Sequence, residues 1–361
     1  MTSTLRSAAH YAGTAVIAVM ASFFVALPSS LAGPVTAAGT PDLNAPQEVA
    51  RDIDAPWGLI FLPDGAALIA ERDTGVIKRI APGTTPTQVY RVPGVVARGE
   101  GGLLGLAVSP KYAENGYVYA YFTDSGDNRI VRFRLDGQPQ AIFTGIAKAN
   151  IHNGGRIAFG PDGMLYVGTG DAGQRNRSQD PASPNGKILR LDPDGKPAPG
   201  NPTPNSPVYS LGHRNVQGLA WDATGRLYAT EFGQDTYDEV NLIEAKRNYG
   251  WPVVEGKGDT QNGRYTNPLV TWSTSEASPS GLAITANTLY VAALRGQRLW
   301  TIPQRADGTL DRPVAQLRSK YGRLRTPVVA PDGALWLSTS NTDGRGTVRA
   351  GDDRVIRFPA R

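Results

Sequence analysis

Apolar residues along this chain fall in short runs that repeat one plan six times. Trp57-Gly58-Leu59-Ile60-Phe61-Leu62 runs into Pro63-Asp64-Gly65, and Gly155-Arg156-Ile157-Ala158-Phe159 runs into Gly160-Pro161-Asp162-Gly163. Leu104-Gly105-Leu106-Ala107-Val108, Gln217-Gly218-Leu219-Ala220-Trp221, Ser280-Gly281-Leu282-Ala283-Ile284 and Thr326-Pro327-Val328-Val329-Ala330 occupy the same place in the other units. Proline presets φ, and Asp-Gly tolerates the positive φ of tight hairpins, so each run reads as a strand entering a turn. A second strand follows, as in Met164-Leu165-Tyr166-Val167 or Ala334-Leu335-Trp336-Leu337, and a third is legible at residues 75–80, 187–191 and 354–358. Units spaced roughly 45 to 65 residues apart bury their faces only against one another. The pattern predicts an all-β chain, a six-bladed propeller of four-stranded antiparallel blades; the alternative is one or two β-sandwiches.

Composition narrows this further. The chain has 361 residues, 42 of them Gly and 28 Pro, with 19% charged, which suits many short strands joined by tight turns. Stretches 173–207 and 256–279, rich in Pro, Asn and Ser, read as rim loops that could shape a site. No linker divides the chain. At the start, Arg6, the uncharged apolar residues 14–27 and the small residues 28–38 with Val35-Thr36-Ala37 read as a secretory signal. The expected organisation is a signal peptide over 1–37, with an uncleaved anchor as the alternative, and a single propeller over 38–361. The mature part would then be periplasmic or secreted and would carry no membrane span. A formal net charge of +5 comes from scattered residues, without a dense basic run interleaved with aromatics, so nucleic acid is not an expected partner. With no cysteine, any metal must take oxygen or nitrogen ligands.

Candidate chemistry is concentrated in two loops. Of three histidines, His10 lies in the apolar leader, leaving His152 and His213 as candidate proton-transfer groups. Asp171 lies 19 residues after His152, so one hairpin could return it to orient the imidazole. Arg214, Asn215 and Gln217 could hold carboxylate or carbonyl oxygens of an anionic ligand. Arg323 and Arg325 alternate, which on a strand puts both on one face, and two buried like charges call for an anion between them. No EF-hand loop is present, and no Gly-x-Gly-x-x-Gly leads from a strand into a helix, which argues against nicotinamide binding.

Five motifs in register, Glu100-Gly101-Gly102-Leu103-Leu104-Gly105-Leu106, Ile151-His152-Asn153-Gly154-Gly155-Arg156 with Gly170-Asp171, Gly212-His213-Arg214-Asn215-Val216-Gln217-Gly218, Asp238-Glu239-Val240-Asn241-Leu242-Ile243 and Asn248-Tyr249-Gly250-Trp251-Pro252, resemble the soluble glucose/sorbosone dehydrogenase family. The resemblance runs from about Pro56 to Phe358. It implies a pyrroloquinoline quinone (PQQ) and calcium dependent aldose dehydrogenase on a six-bladed propeller. By the same resemblance His152 is the base, with Arg214 polarising the quinone, and the cofactor is faced by Glu100, His152, Arg214, Asn215, Gln217, Arg295, Arg323 and Arg325. The carbonyls of Gly233 and Gln234 fall at a bridging Ca2+, and Glu239 and Tyr249 at a further, structural one. Arg295 stands where glucose-oxidising members carry lysine, Ile151 where they carry Asp, and Glu100 where they carry Gln. Those departures point to the broader aldose sugar dehydrogenase branch, with an aldose as substrate, an unidentified electron acceptor, and a monomer or homodimer. Two rival readings are a calcium-dependent propeller lactonase and a non-catalytic binding propeller.

Overall fold

In the computed structural model, which describes residues 1–2, 39–81 and 83–361, the chain forms six four-stranded antiparallel sheets. The expected 1–37 leader and its cleavage site lie outside the described residues apart from Met1 and Thr2. Among the described residues no helix is long and apolar enough to cross a membrane. Each sequence unit supplies the innermost strand of one blade: Pro56–Phe61, Leu103–Val108, Arg156–Phe159, Val216–Trp221, Pro279–Thr285 and Leu324–Val329. The second and third strands follow by hairpins, as the Pro-Asp-Gly turns require. The ring closes because Gln47–Ala50, from before the first blade, pairs as the outer strand of the last, Gln47 opposite Arg357.

Blades bury their faces against their neighbours. Trp57, Leu104 and Tyr121 pack with Ile157, Leu165, Val167 and Leu189 in one such layer. Near the axis the backbones approach so closely that side chains are excluded. A Cβ on Gly105 would sit 2.2 Å from the Gly155 carbonyl oxygen, and one on Gly281 would sit 2.7 Å from that of Arg325. These glycines keep the inner strands within reach of one another.

Five of the six inner pairs slip register at the same place, between Pro56 and Leu59, Leu103 and Leu106, Val216 and Gly218, Pro279 and Leu282, and Leu324 and Pro327. Bulges bend a strand and re-aim its side chains. Trp57, Gln217 and Arg325 sit within them, and all three line the cavity at this end of the ring. The third blade lacks the slip; there Gly154 and Gly155, at φ +62° and +108°, turn the chain instead. Two loop expectations need refinement. Stretch 173–207 is not one rim loop but two, separated by the third strand Lys187–Leu191, and stretch 256–279 contains the outer strand Val270–Ser273.

Candidate active site

Where the inner strands begin, the axis widens into a cavity of about 340 Å3, within the usual size of ligand clefts. Its wall carries Arg72, Arg295, Arg323, Arg325 and Arg345 against Glu100 and Asp343, and with Arg72 paired to Asp73 at 2.6 Å the surplus is two positive charges. Trp57 and Gln217 line the cavity as well. The expected pairing of Arg323 and Arg325 is real, but their counter-ion is partly internal. Asp343 Oδ2 lies 2.8 Å from Arg323 and 3.2 Å from Arg325, and accepts the Ser340 hydroxyl at 3.0 Å. Burial pushes the Asp343 carboxyl up, and the two guanidinium groups outweigh this and hold it below its usual range. One carboxylate shared by two buried cations leaves them under-neutralised, and burial brings Arg325 down to about 10.

Glu100 joins the cavity to the first histidine. Its Oε1 pairs with Arg345 at 3.1 Å across the wall, and its Oε2 accepts the His152 backbone N–H at 2.8 Å. His152 itself is not among the lining residues and sits at φ +55°, a left-handed conformation that a non-glycine residue adopts at a cost. Its Nδ1 lies 2.7 Å from Asp171 Oδ1, as the hairpin argument anticipates. Asp171 is buried, and burial would raise its carboxyl. The His152 ring, the Gly173 N–H at 2.7 Å and the Trp251 indole N–H at 2.9 Å outweigh that and hold it below its ordinary value. A carboxylate so fixed selects the Nδ1–H tautomer and leaves Nε2, which takes no hydrogen bond from the described residues, as a free base.

The second loop is built differently. His213 is fully buried, with Nδ1 2.8 Å from Glu231, Nε2 2.8 Å from the Ser210 hydroxyl, and its ring stacked on Tyr249 at 4.7 Å. Both nitrogens are committed, so His213 is a structural residue and of the two candidates only His152 keeps a free nitrogen. Its neighbours fit a ligand better. Arg214 donates Nη1 to the Phe232 carbonyl at 3.2 Å and lies over Trp251, while its buried Nε has no partner. Asn215 spends Oδ1 on the Gly154 N–H at 2.9 Å, and its buried Nδ2 is likewise unpartnered. Two orphaned donors on consecutive residues ask for an oxygen acceptor from outside the chain. Gln217 faces the cavity and accepts the Ser280 hydroxyl.

Lys187 ties the two loops together. It is completely buried and donates to the carbonyls of Arg177, Ser178 and Asn185 at 2.6, 3.1 and 2.8 Å. Ser178 in turn donates to the His213 carbonyl, and Asn185 to that of Gly170, next to Asp171. Burial pushes this amine down to about 7, yet three carbonyl acceptors need the three N–H groups of the charged form.

Among the described residues no group of three or more His, Cys, Asp or Glu could hold a metal. Neither the Gly233 nor the Gln234 carbonyl accepts a hydrogen bond there, so both oxygens remain open to a hard cation. Glu239 and Glu231 face each other across one strand pair, both bonded to the Asn241 amide nitrogen, while Asn241 Oδ1 is buried without a partner. Burial and the neighbouring Glu231 raise Glu239 to about 8. That cluster of oxygens is short of a positive charge. The Tyr249 hydroxyl donates to the Leu242 carbonyl and accepts the Glu244 N–H.

Arg72, Asp343, Arg345 and Trp57 are site residues that the sequence pattern does not single out. Arg72 and Asp343 sit in Glu71-Arg72-Asp73-Thr74 and Asn341-Thr342-Asp343-Gly344, which read as ordinary polar turns. The regular return of every blade end to the axis is the signal that could have found them.

The glucose/sorbosone dehydrogenase family model matches residues 53–349. The chain belongs to that family. It is an oxidoreductase of this class, as its motifs suggest. It resembles the PQQ-bound form of aldose sugar dehydrogenase from Streptomyces coelicolor, with 51% identity, a TM-score of 0.84, and coverage of 89% of this chain and all of that one. It is 33% identical to quinoprotein glucose dehydrogenase B of Acinetobacter calcoaceticus over 61% of this chain and 54% of that one. Aldose sugar dehydrogenase YliI of Escherichia coli is 27% identical over 82% of this chain and 90% of its own.

Proposed function

We propose that this member of the family oxidises aldoses at C1 to the lactone, using PQQ and Ca2+, and that it does so outside the cytoplasm after removal of residues 1–37. The observation that carries the reading is the His152–Asp171 pair, 2.7 Å apart, hydrogen-bonded through Glu100 to a cavity whose wall keeps a surplus of positive charge. That surplus attracts an anionic tricarboxylate quinone, and Gln217, Arg295, Arg323 and Arg325 in the wall would hold its oxygens. When bound, the quinone would supply a hydride acceptor, and Ca2+ on the Gly233 and Gln234 carbonyls would supply Lewis acidity.

The protein's own part is proton transfer, orientation and charge. His152 Nε2 takes the proton of the C1 hydroxyl while the C1–H bond gives up its hydride. Asp171 keeps the ring in one tautomer and stabilises the imidazolium that forms. Arg214 meets negative charge that develops next to it, and Trp251 covers its guanidinium from water. Glu100, paired with Arg345, would present carboxylate oxygens to sugar hydroxyls, and exposed Ile151 would make no polar contact, which suits a broad range of aldoses. An arginine-rich wall with two carboxylates is a poor ligand set for a metal-bound water, which disfavours the lactonase reading.

The test is dye reduction by the purified protein with a panel of aldoses, before and after adding PQQ and Ca2+ together. Activity that needs both supports the reading. Absence of activity with every sugar, together with no quinone binding in an absorbance titration, would refute it.

A further inference from the structure

Behind the cavity the propeller axis continues as a tunnel of about 140 Å3. Every blade contributes to its wall: Leu59 and Ile60, Leu106, Ile157 and Ala158, Leu219, Leu282, and Thr326 to Val328. These groups are almost all apolar. The one charged group in the lining is Arg156. Ile60, Ala158 and Val328 are half-buried at the far end, where the tunnel opens away from the cavity.

Arg156 is 92% buried and has no carboxylate partner among the described residues. Its Nε donates to the Gln217 carbonyl at 2.7 Å and its Nη2 to the Thr326 hydroxyl at 3.0 Å, while Nη1 meets no acceptor. One face of the guanidinium lies 4.2 Å from the Trp57 ring centroid, and Arg325 lies over the same ring at 5.7 Å. Burial and the nearby Arg325 push Arg156 down to about 9. Arg325 has Asp343 to offset its charge; Arg156 has nothing comparable. A buried cation without a counter-ion is strongly unfavourable. Arg156 is not among the residues that line the cavity, and Trp57 and Gln217, which are, contact it.

We infer that the axial tunnel is a binding site for one small monovalent anion, seated on the Nη1 side of Arg156 and entering from the face opposite the cavity. The walls select its chemistry. One guanidinium in an apolar tube favours a single, weakly hydrated charge such as a halide or a short carboxylate. A doubly charged oxyanion would leave charge unmatched among Leu and Ile side chains. Nothing in the sugar dehydrogenase reading requires this site, and its test does not depend on that reading.

Crystals of the full protein soaked in sodium bromide test it directly. The expected result is an anomalous peak within about 3.5 Å of the Arg156 guanidinium. Peaks confined to surface lysines and arginines, an adventitious ion only, would overturn the inference, as would a tunnel filled by water alone. In solution, bromide at fixed ionic strength should raise the melting temperature saturably, by about 3 °C or more, and sulfate should not. Arg156→Met should abolish the difference, and an unchanged bromide response in that variant would contradict the site. If Arg156→Met does not fold, the wild-type crystals still decide. An acetate competition identifies the source: loss of the bromide peak supports the site as a carboxylate site, and retention supports it as a halide site.

Discussion

His152 and His213 occupy loops of the same kind, each one step before an inner strand, and each holds a carboxylate on Nδ1, at 2.7 and 2.8 Å. What separates them is the other nitrogen. Ser210 occupies Nε2 of His213, Tyr249 covers its ring and no surface remains exposed. His152 has no such partner, and its side chain keeps 13% of its surface. A histidine–carboxylate pair is thus no sign of catalysis by itself. One pair is a brace that fixes Glu231 beneath the Arg214 backbone N–H, and the other is a base held in its tautomer with its reactive nitrogen free.

The comparison breaks most sharply by removing each imidazole. His152→Ala should lower kcat by about 100-fold to 10,000-fold with little change in melting temperature. His213→Ala should instead destabilise by about 3 kcal/mol, because the buried Glu231 loses one of its hydrogen-bond partners and the packed ring leaves a cavity, with a much smaller loss of turnover per folded molecule. Thermal melts beside steady-state kinetics separate the two, and the reverse pattern would undo the distinction.

Asp171→Asn should keep the ring in place but disturb its tautomer, lowering turnover by about 100-fold or more. It should also change the acid limb of stability. The Asp171 carboxyl is held below its ordinary value in the fold, so its contribution is fully present above the normal carboxylate pKa and is lost as pH falls through the depressed one. Melting temperature measured from pH 6 downwards should therefore fall less steeply in Asp171→Asn than in the wild type.

Lys187→Met sharpens the comparison by loosening both loops at once. Three carbonyls lose their donor, and destabilisation of about 2–3 kcal/mol, with a fall in turnover, is expected from denaturation curves and kinetics. The smallest effect belongs to Ser210→Ala, which frees His213 Nε2 without exposing it. Stability should drop by about 1 kcal/mol and turnover should not change. A gain of proton-transfer activity would show that a free nitrogen alone suffices.

Most of the ring was legible because inner, second and third strands alternate apolar runs with Asp-Gly turns. The fourth strands were not located: Thr87–Arg91, Gln140–Ile146 and Val314–Gln316 are largely exposed and carry little hydrophobic pattern. The His152–Asp171 pair was readable from one hairpin's length. Arg72 was not, because it reaches the cavity from a blade distant in sequence from Arg323 and Arg325, and Asp343 and Arg345, one hairpin from those arginines, sit in a polar turn that looks like any other. The separate fates of His152 and His213 were equally hidden, since Ser210 and Tyr249 act through packing rather than motif.

The most direct test is aldose-dependent dye reduction by His152→Ala and wild type, both reconstituted with PQQ and Ca2+, with quinone binding followed by absorbance. Equal binding and a turnover at least about 100-fold lower in the variant are expected. Turnover within a few-fold of wild type at equal quinone occupancy would contradict His152 as the base.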